Sequence, residues 1–108
     1  PSTPNISIDL GKLNHLVKDP LVKDIQCNGK DTNIIVRGSM GEKTSKIILN
    51  KNEVNYVIEQ FSKVSHIPIQ EGFFKVAVGK MILSAIVSKV ADSKFLIKKV
   101  SYKPMFNY

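Results

Sequence analysis

The only stretch with the residue types of a phosphate-binding loop is residues 38–44, Gly-Ser-Met-Gly-Glu-Lys-Thr. A P-loop needs a glycine directly followed by lysine, with another glycine five positions before it. Here Glu42 separates Gly41 from Lys43, and Val36 occupies the earlier glycine position. The segment also leads into a β-rich run instead of a helix whose N-terminus could face phosphates. We therefore predict a hairpin turn.

Residues for nucleophilic, acid–base or metal chemistry are scattered. Cys27 is the single cysteine and has no histidine near it in sequence, so a buried or edge-strand thiol is the expectation and a cysteine-based zinc site is excluded. His15 and His66 lack neighbours at metal-ligand spacing, and His66 is expected to end a helix. No spacing forces two of the loop carboxylates together; these are Asp24, Asp31, Glu42 and Glu71.

The chain is basic, with a net charge of +7, and the excess lies toward its C-terminus. Residues 1–71 hold nine Lys or Arg against eight Asp or Glu, whereas residues 72–108 hold seven Lys against Asp92 alone. This asymmetry indicates an acidic partner, with a solvated, solubility-giving surface as the alternative. The partner-binding or nucleotide-facing candidates are Lys80, Lys94, Lys98, Lys99 and Lys103.

Alternation along the last basic run places Lys94 and Lys98 on one side of a strand and Lys99 on the other. We expect at least one of these lysines at the rim of the core. Single-stranded nucleic acid would also need exposed aromatic rings, and Phe73, Phe74 and Phe95 are the candidates. We predict instead that all three phenylalanines pack in the core.

Eight elements are needed to position these residues. Asp9 caps a short helix that stops at Asp19-Pro20, and Asn50 with Glu53 forms a capping box for a second helix over residues 50–65. Asn28-Gly29 indicates a hairpin between the first two strands. The predicted strands are residues 21–27, 32–37, 44–49, 73–78, 81–87 and 94–102.

The order α-β-β-β-α-β-β-β has connections too short for parallel crossovers. It predicts an α+β fold, PAS-like, with an antiparallel sheet and helices on one face. We expect a flexible lead-in over residues 1–8, one domain over residues 9–104, and a tail or linker start over residues 105–108. No apolar run approaches the ~20 residues that span a bilayer, and a cytoplasmic location is expected, peripheral at the inner face of the membrane at most.

Several segments resemble the N-terminal domain of type II/IV secretion-system ATPases, in particular the archaeal branch that drives pili and archaella. Residues 19–29 are similar to the family's DP-x-(V/I)-(E/T)-D-I-x-(C/V)-(D/N)-G segment. The helix over residues 50–65 leads to the loop that starts Ile67-Pro68-Ile69, as in the family. Residues 73–86 resemble its DG-x-R hairpin, and residues 95–99 resemble its F-T-I-R-K-F strand before the linker to the motor domain.

The resemblance implies a non-catalytic regulatory and assembly domain of a hexameric, homo-oligomeric motor in protein transport. Its partners would be the motor domain of the same or a neighbouring subunit and a membrane platform protein, with ATP and Mg²⁺ bound only by the motor domain. Lys98 stands where the family has arginine, and Met81 stands at the hairpin arginine; lysine keeps the charge without the planar fork, and methionine keeps neither.

Two other functions stay open on the sequence. A free-standing nucleic-acid-binding module would use the lysines of residues 72–108, and its affinity would fall steeply with salt. A small enzyme would have to assemble its site only in three dimensions.

Overall fold

The computed structural model describes residues 8–100. Residues 1–7 of the predicted lead-in (residues 1–8) lie outside this range, as do the tail over residues 105–108 and the positions of Ser101, Tyr102 and Lys103. The elements in chain order are a 3₁₀ turn at Gly11–Leu13, α1 at Asn14–Lys18, β1 at Val22–Cys27, β2 at Asn33–Gly38, β3 at Gly41–Ile48, α2 at Lys51–Ser65, β4 at Gly72–Val78, β5 at Met81–Val87 and β6 at Lys94–Lys99.

The predicted α+β class and the order of its elements are confirmed. All five strand pairings are antiparallel, and the strands lie in the order β3-β2-β1-β6-β5-β4. Each half of the chain is a three-stranded meander, and the two meanders join where β1 pairs with β6. The first and last strands are therefore central, and β3 and β4 form the edges.

The first helix begins differently from the prediction. Gly11 has φ of +63°, outside the α-helical region, and the first turn is 3₁₀. Side chains hold this turn: Asp9 Oδ1 accepts a hydrogen bond from Gly11 N at 3.0 Å, and Asn14 Oδ1 accepts one from Leu10 N at 2.7 Å. The prediction that Asp9 caps the helix is therefore wrong, because Leu10 precedes the 3₁₀ turn, Leu13 precedes α1, and neither position has a side-chain cap. Asp9 instead bonds the amide of Gly11 before the helix, and only the five residues of α1 are α-helical.

The turn after β2 is a hairpin, as predicted for residues 38–44. β3 nevertheless begins at Gly41, three residues earlier than expected. The cross-strand pairs Gly38↔Gly41 and Arg37↔Glu42 continue the antiparallel ladder up to a two-residue turn. Gly38 is required there, because a Cβ at this position would overlap the backbone carbonyl of Leu21.

Helix α2 connects the two edge strands. Fifteen residues give a length of about 22 Å, close to the roughly 24 Å between the outer strands of a six-stranded sheet. The predicted capping box is confirmed, since Asn50 Oδ1 accepts from Glu53 N and Glu53 Oε1 accepts from Asn50 N, both at 2.8 Å. His66 ends the helix in the left-handed region at φ 61°, in agreement with its predicted role.

A single core lies between the helices and one face of the sheet. Buried residues of neighbouring strands lie opposite one another in the register, for example Ile25, Ile97 and Leu83 across β1, β6 and β5. The helical segments contribute Leu10, Leu13, Val54, Val57, Ile58 and Phe61 to the same cluster. Both helices therefore cover one face, as predicted. No helix within residues 8–100 is long and apolar enough to cross a membrane.

Candidate functional site

The face of the sheet opposite the helices is uncovered by any element of residues 8–100. Directly opposed residues of antiparallel strands point to the same side, so the register defines three rows on this face. They are Phe73-Ile86-Lys94, then Lys75-Ser84-Leu96-Gln26-Ile35-Thr44, then Ala77-Ile82-Lys98-Asp24-Arg37-Glu42.

The first row exposes large apolar side chains. Phe73 is 59% exposed and its cross-strand neighbour Ile86 is 49% exposed. The prediction that all three phenylalanines pack in the core is correct for Phe74 and Phe95, which are buried, and wrong for Phe73. Phe73 lies on the uncovered face because its neighbour Phe74 fills the core position of β4.

The charges on this face are divided between its two halves. Asp24 and Glu42 lie on the β1–β3 half, where Arg37 donates to Glu42 Oε1 at 2.9 Å and to Gln26 Oε1 at 2.7 Å. The β4–β6 half holds three lysines and no acidic residue. We call this half the open-face patch and define it by Phe73, Lys75, Ser84, Ile86, Lys94, Leu96 and Lys98.

A depression of about 330 Å³ lies over the open-face patch. Phe73, Ile86 and Leu96 provide its apolar lining, and Lys94 and Ser84 provide polar atoms, together with Gln26 and Asn28 from β1 and the turn after it. Apolar surface bordered by cations is suited to a partner that combines exposed apolar groups with negative charge.

The structure divides the predicted site lysines between two places. Lys94 and Lys98 belong to the open-face patch. Lys80, in the turn between β4 and β5, and Lys99, at the end of β6, line a separate cleft near α1. The predicted alternation of Lys94 and Lys98 against Lys99 is therefore confirmed, and Lys103 lies outside the described residues.

Lys99 is the lysine at the rim of the core. Its Nζ donates to the carbonyl oxygens of Leu16 and Asp19, both at 2.8 Å. These two carbonyls at the end of α1 also accept from the backbone amides of Asp19 and Val22. Burial lowers the pKa of Lys99, the Asp19 carboxylate opposes this shift, and the nearby Lys23 ammonium adds to it. Two of the three ammonium protons thus have acceptors within the domain.

Sequence reasoning did not identify Lys75 and Ile86 as members of the open-face patch. It also did not predict that Phe73 is exposed. The signal was present in the alternation of β4, which places Phe73, Lys75 and Ala77 on one side and Phe74, Val76 and Val78 on the other. The alternation alone does not show which side of β4 packs against the helices. The pairing of β4 with β5 is needed to decide which side is exposed.

The other chemistry-bearing residues are not gathered into one place. Cys27 is buried in the central strand β1, where its Sγ donates to Gly29 O at 3.4 Å and burial raises the pKa of the thiol. The prediction of a buried thiol is confirmed. Within the part of the chain that is described, no three His, Cys, Asp or Glu side chains are grouped as metal ligands.

No protein-family model matches the chain, and no curated protein matches it.

Proposed function

We propose that this chain is a non-catalytic assembly domain that binds a partner protein through the open-face patch. The observation that carries the proposal is the exposure of Phe73 and Ile86 within a half-sheet whose only charges are Lys75, Lys94 and Lys98. Interfaces commonly combine a desolvated aromatic anchor with complementary charges around it. An apolar surface with an acidic border is the matching partner.

The resemblance of residues 19–29 to secretion-system ATPases supports one identity for that partner. It is the P-loop motor domain of the same or a neighbouring subunit in a hexameric, cytoplasmic secretion or archaellum-type ATPase. In this assignment ATP and Mg²⁺ bind to the motor domain, and the domain described here caps the nucleotide site and holds subunits together. A membrane platform protein is the further partner that the resemblance implies.

The test begins with sequencing of the reading frame beyond the codon for Tyr108, where this proposal expects a P-loop domain, and then uses that full-length parent protein. The double variant K94E/K98E reverses two charges of the open-face patch. The matched control K51E/K63E makes the same change in net charge on exposed positions of α2. We expect the patch variant to weaken hexamer formation in sedimentation by about tenfold, which corresponds to about 1.4 kcal/mol, and the control to assemble as the unmodified protein does.

Equal assembly of the two variants would contradict the proposal, because both change the net charge by the same amount and only one changes the patch. A reading frame that stops after Tyr108 would remove the motor domain as the partner.

A second function, binding of single-stranded nucleic acid, is favoured by the exposure of Phe73 beside Lys75 and Lys94. Base stacking on an aromatic ring contributes about 1–3 kcal/mol per base. If this function is correct, a labelled oligothymidine binds the domain at low salt, loses affinity steeply with added salt, and binds F73A at least about fivefold more weakly. Weak binding that is insensitive to F73A would exclude it.

A further inference from the structure

A second concave site lies at the opposite side of the sheet from the open-face patch. It is a cleft of about 370 Å³ between the end of α1, the start of β1 and the turn that joins β4 to β5. Val100 N donates to Lys80 O at 2.7 Å, and Lys99 Nζ bonds the end of α1. The walls are therefore held by hydrogen bonds between elements distant in sequence.

Three lysines line this cleft from three elements. Lys23 is the extra residue of a β-bulge, since Val22 pairs with Gly38 and Asp24 with Arg37. Lys80 occupies the β4–β5 turn, and Lys99 ends β6. Neither Lys23 nor Lys80 forms an ion pair with any carboxylate of residues 8–100, and Lys99 retains one donor beyond its two carbonyl bonds.

Two of these positive charges, those of Lys23 and Lys99, are close enough for one to affect the other. The Lys23 ammonium contributes to lowering the pKa of Lys99, after burial, against the opposing effect of the Asp19 carboxylate. A bound anion would offset the charges of Lys23 and Lys80, which have no carboxylate partner within residues 8–100, and would accept hydrogen bonds from their ammonium groups.

The remaining lining is apolar and comes from Val17, Pro20, Val22, Met81 and Val100. An inorganic anion alone would leave these walls in contact with water. At about 30 Å³ for each water-sized atom, the volume accommodates a molecule of about twelve heavy atoms, at the lower end of small-molecule sites.

We propose that this cleft binds a small amphipathic organic anion, whose phosphate or carboxylate head contacts Lys23, Lys80 and Lys99 and whose apolar body lies against Val22, Met81 and Val100. The site goes beyond the docking function, because none of its residues belongs to the open-face patch. The ligand is either a soluble molecule or the headgroup end of an anionic lipid, which present the same chemistry.

Calorimetric titration of the 108-residue chain with three probes tests the inference. Hexyl phosphate supplies both head and body, inorganic phosphate supplies the charge alone, and hexanol supplies the apolar body alone. We expect hexyl phosphate to bind at least tenfold more tightly than either of the other two. Equal affinity for inorganic phosphate or for hexanol would overturn the proposal.

Lys80→Gln locates the binding, since Lys80 is exposed in a turn and makes no side-chain bond within residues 8–100 that folding would lose. We expect it to weaken hexyl phosphate binding about fivefold, while the control Lys63→Gln, at an exposed position of α2 outside both sites, leaves the affinity unchanged. An equal effect of the two substitutions would overturn the assignment to this cleft.

Vesicle co-sedimentation then separates the two sources of the ligand. Binding to phosphatidylcholine vesicles that contain phosphatidic acid, lost in Lys80→Gln and absent with phosphatidylcholine alone, supports the cleft and identifies a lipid source. Binding of hexyl phosphate without vesicle binding supports the cleft and identifies a soluble ligand.

Discussion

At the scale of single residues, the buried thiol of Cys27 makes the stability of the fold depend on pH. Burial is the largest cause of its pKa shift and raises the pKa in the folded state. The folded protein therefore retains the thiol proton more strongly than the unfolded chain does. The stabilisation is complete below the unfolded pKa of about 8.5 and is lost as pH rises above it.

Cys27→Ala removes this dependence. We expect the difference in unfolding free energy between the unmodified protein and Cys27→Ala to shrink as pH is raised from 7 to 10, measured by urea denaturation. All other titrating groups are common to both proteins, so their contributions to the difference cancel. A difference that stays constant with pH would show that the thiol does not titrate with folding.

Gly38 is a second residue whose substitution should change the stability of the fold through a local contact. Its backbone passes so close to Leu21 that any Cβ would overlap the Leu21 carbonyl oxygen. We expect Gly38→Ala to lower the unfolding free energy by about 1–3 kcal/mol through overpacking. The neighbouring Ser39→Ala, at an exposed position, should change it by less than about 0.5 kcal/mol. Equal stability of the two variants would mean that the β2–β3 turn moves away from β1 at little cost.

At the scale of elements, the start of α2 depends on reciprocal bonds between Asn50 and Glu53. We expect Asn50→Ala to cost about 1 kcal/mol in thermal or urea unfolding, since it leaves the amide of Glu53 without its acceptor. Asn52→Ala, on an exposed position of the first turn, is the control and should have little effect. A loss of the same size in both would show that the effect does not come from the cap, because alanine has the higher helix propensity at Asn52.

The elements themselves were largely predictable, because their signals are local. The capping box at Asn50, the Asn28-Gly29 turn and the alternation of β6 each depend on neighbours within a few residues. The early start of β3 was missed because it depends on pairing of Glu42 with Arg37 across the turn. The 3₁₀ start before α1 was missed because the conformation of Gly11 is held by the side chains of Asp9 and Asn14.

The candidate sites were less predictable, because they depend on which strands become neighbours. Lys94 and Lys98 were identified from charge, but their grouping with Lys75 and Phe73 requires the order β6-β5-β4. The cleft needs Lys23, Lys80 and Lys99 to meet although 76 positions separate the first from the last in sequence, and no local pattern indicates this.

At the scale of the whole molecule, the two faces of the sheet present different surfaces. One face and both helices enclose the core. The other presents the open-face patch, where Lys75, Lys94 and Lys98 accompany exposed Phe73 and Ile86. Exposed charges are screened over about 8 Å at physiological ionic strength. Association through this patch should therefore slow as salt is added, while its apolar contacts persist.

Lysine labelling tests the central claim most directly. Brief reductive methylation, read by mass spectrometry, is compared between the isolated domain and the assembled parent protein. We predict that Lys75, Lys94 and Lys98 are protected in the assembly, while Lys51 and Lys63 on α2 are labelled equally in both forms. Equal labelling of the three patch lysines in both forms, or protection confined to α2, would contradict docking through the open-face patch.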